Sequence, residues 1–251
     1  MKIFVTALAL LLGVATAQAE AEASTKNIVI VHGAFADGSG WEGVYRILTK
    51  DGYNVTIVQN PLVSLDADVT ATKNVLASQN GPVVLVGHSY GGAVITQAGD
   101  DPKVKSLVYV AAYLPDAGES VGDLLAAADK SVPAPPILID GEKGIALLDR
   151  AKFPEAFAAD IDRNKAEFMA ASQAPLGLPA VGTKITTAAW KTKPSYYIIS
   201  SDDHMIPPAD ERMFATKAKA VQTFEFKASH AVFISQPEKV AKVIEQAAAA
   251  K

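Results

Sequence analysis

Short unbroken runs of apolar residues alternate along the chain with longer stretches whose apolar positions recur every three or four residues. The runs are Asn27–Val31, Asn54–Val58, Val83–Val86 and Ser106–Ala111, and between them lie Trp41–Asp51, Leu65–Gln79 and Tyr90–Gly99. A continuous run of Val, Ile and Leu fits a strand covered on both faces, and an amphipathic stretch fits the helix that covers it. The alternation predicts an α/β architecture: a mostly parallel central sheet with helices on both faces.

After Tyr113 the rhythm breaks. From about residue 115 to 190 the chain is rich in alanine and helix-forming segments, punctuated by Pro133, Pro135, Pro136, Pro154, Pro175 and Pro179, and only Ile137–Ile139 resembles a strand. This stretch reads as an inserted helical cap rather than a second domain. Alternation resumes with Ser195–Ser200, a helix near Pro208–Lys217, and Val221–Phe226. In the final helix Ser235 stands three residues before Glu238 with Pro237 between them, a capping-box pattern. Val240, Val243, Ile244 and Ala247 share one face of that helix, whose start fixes the loop carrying His230.

Composition adds bounds. The chain has 251 residues, 49% apolar, enough for one domain with a large core. Residues 1–19 combine a lone Lys2, an uncharged run from Ile3 to Ala17 and the small-residue pattern Ala17-Gln18-Ala19, the features of a secretory signal peptide. The apolar run of about fifteen residues is shorter than the roughly 20 a membrane-spanning helix needs. Cleavage is expected to leave a single domain, residues 20–251, exported to a bacterial periplasm or secreted.

Without residues 1–19 the chain carries 22 basic and 27 acidic side chains. That balance argues against nucleic acid or an anionic membrane as partner, since both reward clustered Lys and Arg. Cysteine is absent, which excludes a thiol nucleophile, a thiolate metal site and any disulfide.

Candidate chemistry centres on Gly87-His88-Ser89-Tyr90-Gly91, which follows a four-residue apolar run and opens a helical stretch. A serine held on so tight a strand-to-helix turn has strained backbone, with its hydroxyl pushed out at the carboxyl end of the sheet. Side chains two positions away would collide there, and glycine removes them. His88 should point into the sheet packing, a structural position.

A serine hydroxyl needs a base within hydrogen-bond reach, itself oriented by an acid. The four histidines are His32, His88, His204 and His230. On this architecture the chain order is serine, acid, histidine, which leaves the last two. His230 follows the last expected strand and is the better candidate, whereas His204 reads as an exposed loop residue. The acid belongs in the loop after Ser195–Ser200, where Asp202 and Asp203 are both available and spacing does not separate them. Two backbone N–H donors are also required for the oxyanion formed on a substrate carbonyl. Tyr90 supplies one, and the glycine-rich loop His32–Trp41 the other, from Ala34 first and Phe35 second.

The segments HGAFADGSGW, GHSYGG, SSDDHMIPP and ASHAVFISQP together resemble the α/β-hydrolase superfamily. Within it they are similar to the small serine esterase branch of plant methyl-esterases, hydroxynitrile lyases and bacterial pyrethroid-hydrolase-type enzymes. The resemblance covers nearly all of residues 26–248 and is weakest through the cap. It implies an α/β-hydrolase fold, the aspartate of the D-x-x-I-P motif as catalytic acid, here Asp203, and Ala34 and Tyr90 as oxyanion donors. No cofactor or metal is implied. Hydroxynitrile lyases of this branch carry a threonine soon after the first-strand histidine and a lysine after the catalytic one. Gly33 and Ala231 stand there in this chain, which disfavours cyanohydrin cleavage.

The expected function is hydrolysis of a small carboxylic ester through an acyl-enzyme on Ser89, with Asp203 and His230 completing the triad. The alternatives are a ligand-binding protein or receptor on a hydrolase scaffold, and a cofactor-free perhydrolase or lyase using the same site. Phe35, Tyr113 and Leu114 line the cleft or belong to the core.

Overall fold

A computed structural model describes residues 25–250 apart from Ser131. The expected leader, residues 1–19, lies outside the described residues. Strands β1 (Asn27–Val31), β2 (Asn54–Val58), β3 (Val83–Ser89) and β4 (Val104–Ala112) alternate with helices α1 (Glu42–Lys50), α2 (Leu65–Ser78) and α3 (Gly91–Ala98). An insertion follows, made of α4 (Val121–Ala127), β5 (Ile137–Asp140), β6 (Ile145–Leu148), α5 (Phe153–Phe157), α6 (Arg163–Ser172), β7 (Leu176–Gly177) and α7 (Leu178–Gly182). The chain then returns through β8 (Ser195–Ser200), α8 (Pro208–Lys217), β9 (Gln222–Phe226), α9 (Val232–Ser235) and α10 (Pro237–Ala249).

The main sheet has the order β2-β1-β3-β4-β8-β9, and every pairing in it is parallel. Central β3 is buried along all seven residues, which is why its sequence shows no polar alternation. Successive side chains feed opposite layers. Val84, Val86, Val108 and Val110 pack with Trp41, Val240 and Ile244 on one face. Leu85, Leu107 and Tyr109 pack with Leu76 and Ile95 on the other. Each such aliphatic side chain contributes about 1.5–3 kcal/mol by leaving water. Parallel pairing also puts the loops after β1, β3, β8 and β9 on the same rim, so four segments distant in sequence share one edge.

The stretch between β4 and β8 contains helices α4 to α7, and it also holds a three-stranded antiparallel sheet, β5-β6-β7. Only the first of these strands is visible in the sequence. Gly144, at φ 67°, turns the chain between β5 and β6, while β7 is two residues long and is held to the main body by Gly177 N–H donating to the Leu62 carbonyl. A second difference concerns the last helix. Ser235 does not cap it: a separate short helix α9 takes up Ser235, Gln236 is the residue before α10, and no side chain caps that end. The expected apolar face is buried.

Candidate active site

Ser89 closes β3 with φ 52°, a left-handed backbone that L-residues rarely adopt. The flanking glycines are there for space. A Cβ on Gly87 would stand 2.6 Å from the Gly91 carbonyl oxygen, and a Cβ on Gly91 would stand 2.6 Å from that of Val31. The turn therefore closes only with both side chains removed. Ser89 keeps 7% of its surface exposed at the rim.

His230 lies in the loop between β9 and α9, with no exposed surface. Its Nδ1–H donates to Asp203 Oδ2 at 2.6 Å, and in the neutral ring this makes Nε2 the acceptor nitrogen. That nitrogen is buried and has no hydrogen-bond partner, Ser89 included. Such bonds are often long before substrate arrives. The other oxygen of Asp203, Oδ1, accepts from the backbone N–H groups of Met205 (2.6 Å) and Ile206 (2.9 Å). Of the two aspartates that spacing leaves open, Asp203 is buried against the histidine and Asp202 is exposed. His204 is exposed as expected, with Nδ1 bonded to the Glu155 carbonyl.

The remaining histidines are scaffolding. His88 Nε2–H donates to the carbonyl of His230 at 3.0 Å, so the residue before the serine holds the backbone of the candidate base. Burial, and then the neighbouring His230, push the His88 imidazole well below its ordinary pKa and keep it neutral. His32 Nε2 accepts from Asn60 N–H at 2.9 Å, and burial lowers its pKa too. The insertion also grips the His230 loop. Phe157 of α5 sets its ring edge-on to His230 at 4.8 Å, and Asp160 bonds both the hydroxyl and the N–H of Ser229. Neither contact is visible in the sequence, because both depend on where the insertion folds back.

The loop after β1 presses against the serine. A Cβ on Gly33 would lie 2.7 Å from Ser89 Cβ, so Ala34 and Phe35 follow close to that serine; Phe35 is itself in left-handed backbone at φ 59°. Both are buried, as are Tyr113 and Leu114, and all four belong to the apolar core. Phe35 also lines a 430 Å³ cavity between α1 and α6.

Tyr90, next to the serine, is tied down by a residue that sequence reading missed. Its hydroxyl donates to Asp68 Oδ2 at 2.7 Å, and Asp68 Oδ1 accepts from Leu62 N–H at 2.7 Å. Asp68 has no exposed surface; burial raises its pKa despite these two donors, and burial raises that of Tyr90 as well. Tyr90→Phe removes one donor from a buried carboxyl, so urea unfolding at pH 7 should show a loss of about 1–3 kcal/mol. A carboxyl whose pKa is raised by folding costs stability as pH climbs past its unfolded value, and losing a donor raises it further. The deficit of Tyr90→Phe should therefore shrink as pH falls and Asp68 becomes protonated with or without the phenol.

The chain that carries this buried histidine tied to a buried aspartate, with a serine on a left-handed turn at the rim of a parallel sheet, has relatives among known proteins. The chain is 28% identical to "Alpha/beta hydrolase nvfD" of Aspergillus novofumigatus over 243 residues, spanning 88% of this chain and 96% of that one. It is 27% identical to the "Pyrethroid hydrolase" of Sphingobium wenxiniae over 246 residues, 87% of this chain and 86% of that one. Its fold matches that in the crystal structure of polyneuridine aldehyde esterase with a TM-score of 0.76 at 22% identity, covering 88% of this chain and 98% of the other. The model of the alpha/beta hydrolase family matches residues 28–243, which takes in all of the main sheet but Asn27 together with Ser89, Asp203 and His230, and the chain belongs to that family.

Proposed function

We propose that this chain hydrolyses a small carboxylic ester by way of an acyl-enzyme on Ser89. The observation that carries the reading is the His230 ring, held in a loop that ends at the same rim as Ser89: Nδ1 is bonded to Asp203 at 2.6 Å, and Nε2 is buried with no bond of its own. Ser89 Oγ bonds to the ester carbonyl carbon while His230 Nε2 takes its proton. The N–H groups of Ala34 and Tyr90 receive the charge that develops on the carbonyl oxygen. The tetrahedral intermediate collapses, the C–O bond to the alcohol breaks, and imidazolium returns the proton to the leaving alkoxide. Water then repeats the sequence on the acyl-enzyme and releases the acid. Esterase and hydrolase names among the relatives support this class of reaction. The leader read in residues 1–19 makes the substrate one met outside the cytoplasm.

The lyase alternative is disfavoured by space as well as by sequence. Position 33 abuts Ser89 so closely that a Cβ there would collide, which disfavours a threonine of the kind the resemblance associates with hydroxynitrile lyases. Incubation with a fluorophosphonate should add one phosphonyl group per chain, located by peptide mass spectrometry on the peptide containing Ser89, and p-nitrophenyl acetate turnover should fall in proportion. Labelling at another residue, or full labelling with undiminished turnover, would refute the proposal.

A further inference from the structure

Glu211 sits in the first turn of α8 with no exposed surface, although its sequence surroundings, ADERMF, look like a solvated helix face. One of its oxygens, Oε2, accepts from Ser200 N–H at 3.1 Å. The other, Oε1, is buried without a donor. Its carboxyl neighbour is Asp203, with which Glu211 forms a side-chain hydrogen bond only if one of the two carries a proton. Two carboxylates are acceptors only, so their contact is repulsive unless one is a carboxylic acid.

The proton belongs on Glu211. Asp203 already receives two backbone N–H groups and the His230 ring, three donors that occupy both of its oxygens as acceptors. Glu211 receives one. Among the described residues, Tyr197 of β8 and Tyr113 after β4 face Glu211 as neutral phenols, with pKa values raised by burial, and Arg212 is the cation that acts on it, the weakest of the influences on its carboxyl. The adjacent Arg212 points outward to Glu225, Nε to Oε2 at 3.0 Å, on a half-exposed side chain. Burial first, and the Asp203 charge second, hold the Glu211 carboxyl well above the usual carboxylate range.

We propose that Glu211 is a positioning residue that presents a carboxylic acid, not a carboxylate, to Asp203 and fixes Asp203 against His230. The role rests on the triad reading above. A neutral donor steadies the aspartate while imidazolium forms, without adding a second negative charge to the buried site. Ionised Glu211 would repel Asp203 and disturb its hold on the ring, so the role is lost as pH rises through the raised titration of Glu211.

Three measurements test this on the full chain. An infrared difference spectrum of wild type minus Glu211→Gln at pH 7 should contain the carbonyl band of a protonated carboxylic acid. Its absence would overturn the proposal, and this readout does not depend on ester chemistry. In p-nitrophenyl acetate kinetics, Glu211→Ala should lose about tenfold or more in kcat with KM little changed, since a displaced catalytic group costs rate rather than binding. Glu211→Gln, a neutral donor of nearly the same shape, should restore most of that loss and lack the wild type's alkaline fall in kcat/KM. Unchanged kcat in Glu211→Ala, or superimposable alkaline limbs for wild type and Glu211→Gln, would overturn it. Folding linkage gives the third measurement: a carboxyl with a raised native pKa loses stability as pH rises above its unfolded value. The melting temperature of Glu211→Gln relative to wild type should climb from pH 5 to pH 8, and a difference independent of pH contradicts the assignment. Esterase activity surviving in Ser89→Ala would instead overturn the triad reading and the catalytic part of this role, while the infrared band would still decide where the proton is.

Discussion

Ser89→Ala should lower kcat for p-nitrophenyl acetate by about 10⁴-fold or more, because the groups that remain can polarise the carbonyl but cannot form the acyl-enzyme. The fold should be nearly untouched. The exchange deletes one partly exposed oxygen, and alanine adopts the φ of 52° at much the same cost as serine. The melting temperature is therefore the internal control: an unchanged value with abolished turnover assigns the loss to chemistry. KM should move little, since the hydroxyl contributes to bond formation and not to binding of the ground state. Turnover within tenfold of wild type would remove Ser89 from the mechanism.

How much of this was legible in the sequence depends on which force shapes each segment. Strands β2 and β8 begin and end where the apolar runs do, and α8 spans Pro208–Lys217 as expected, because burial in a parallel sheet and a proline at a helix start are both written locally. The sheet in the insertion is not local. Ile145–Leu148 reads IALL, a pattern compatible with a helix, and becomes a strand by pairing with Ile137–Asp140. Ser235 carries a sound capping signature, yet the turn that brings His230 to the rim absorbs it into a separate helix.

The candidate site divides in the same way. Ser89 is announced by the glycines its turn requires and His230 by its place after the last strand, both consequences of connectivity. Asp202 and Asp203 are adjacent residues of one type, and what distinguishes them is burial, which tertiary structure decides; family resemblance, not spacing, favours Asp203. Asp68, Asp160 and Glu211 escaped because an acidic residue in an amphipathic or loop segment is ordinarily solvated. The one signal that could have exposed Glu211 is its register on α8, three residues ahead of buried Phe214 and four ahead of buried Ala215, on the helix's inner face.

Asp203→Asn should reduce kcat by about 10⁴-fold while leaving the site's shape intact. Oδ1 of residue 203 faces two backbone N–H groups, from Met205 and Ile206, so an asparagine must keep its carbonyl oxygen there. Its amide then points –NH₂ at His230, where the wild type offers a carboxylate at 2.6 Å. A donor in that position makes Nδ1 the acceptor and moves the ring proton to Nε2, the nitrogen that must be free to take the serine's proton. Nitrogen NMR of the imidazole should show the Nε2–H tautomer in the variant and the Nδ1–H tautomer in the wild type. The exposed neighbour provides the contrast, since Asp202→Asn alters no contact to the ring and should keep kcat within about twofold, as surface substitutions usually do. If Asp202→Asn were instead the inactive variant, the acid would be misassigned by one residue, and with it the geometry on which the proton transfers depend.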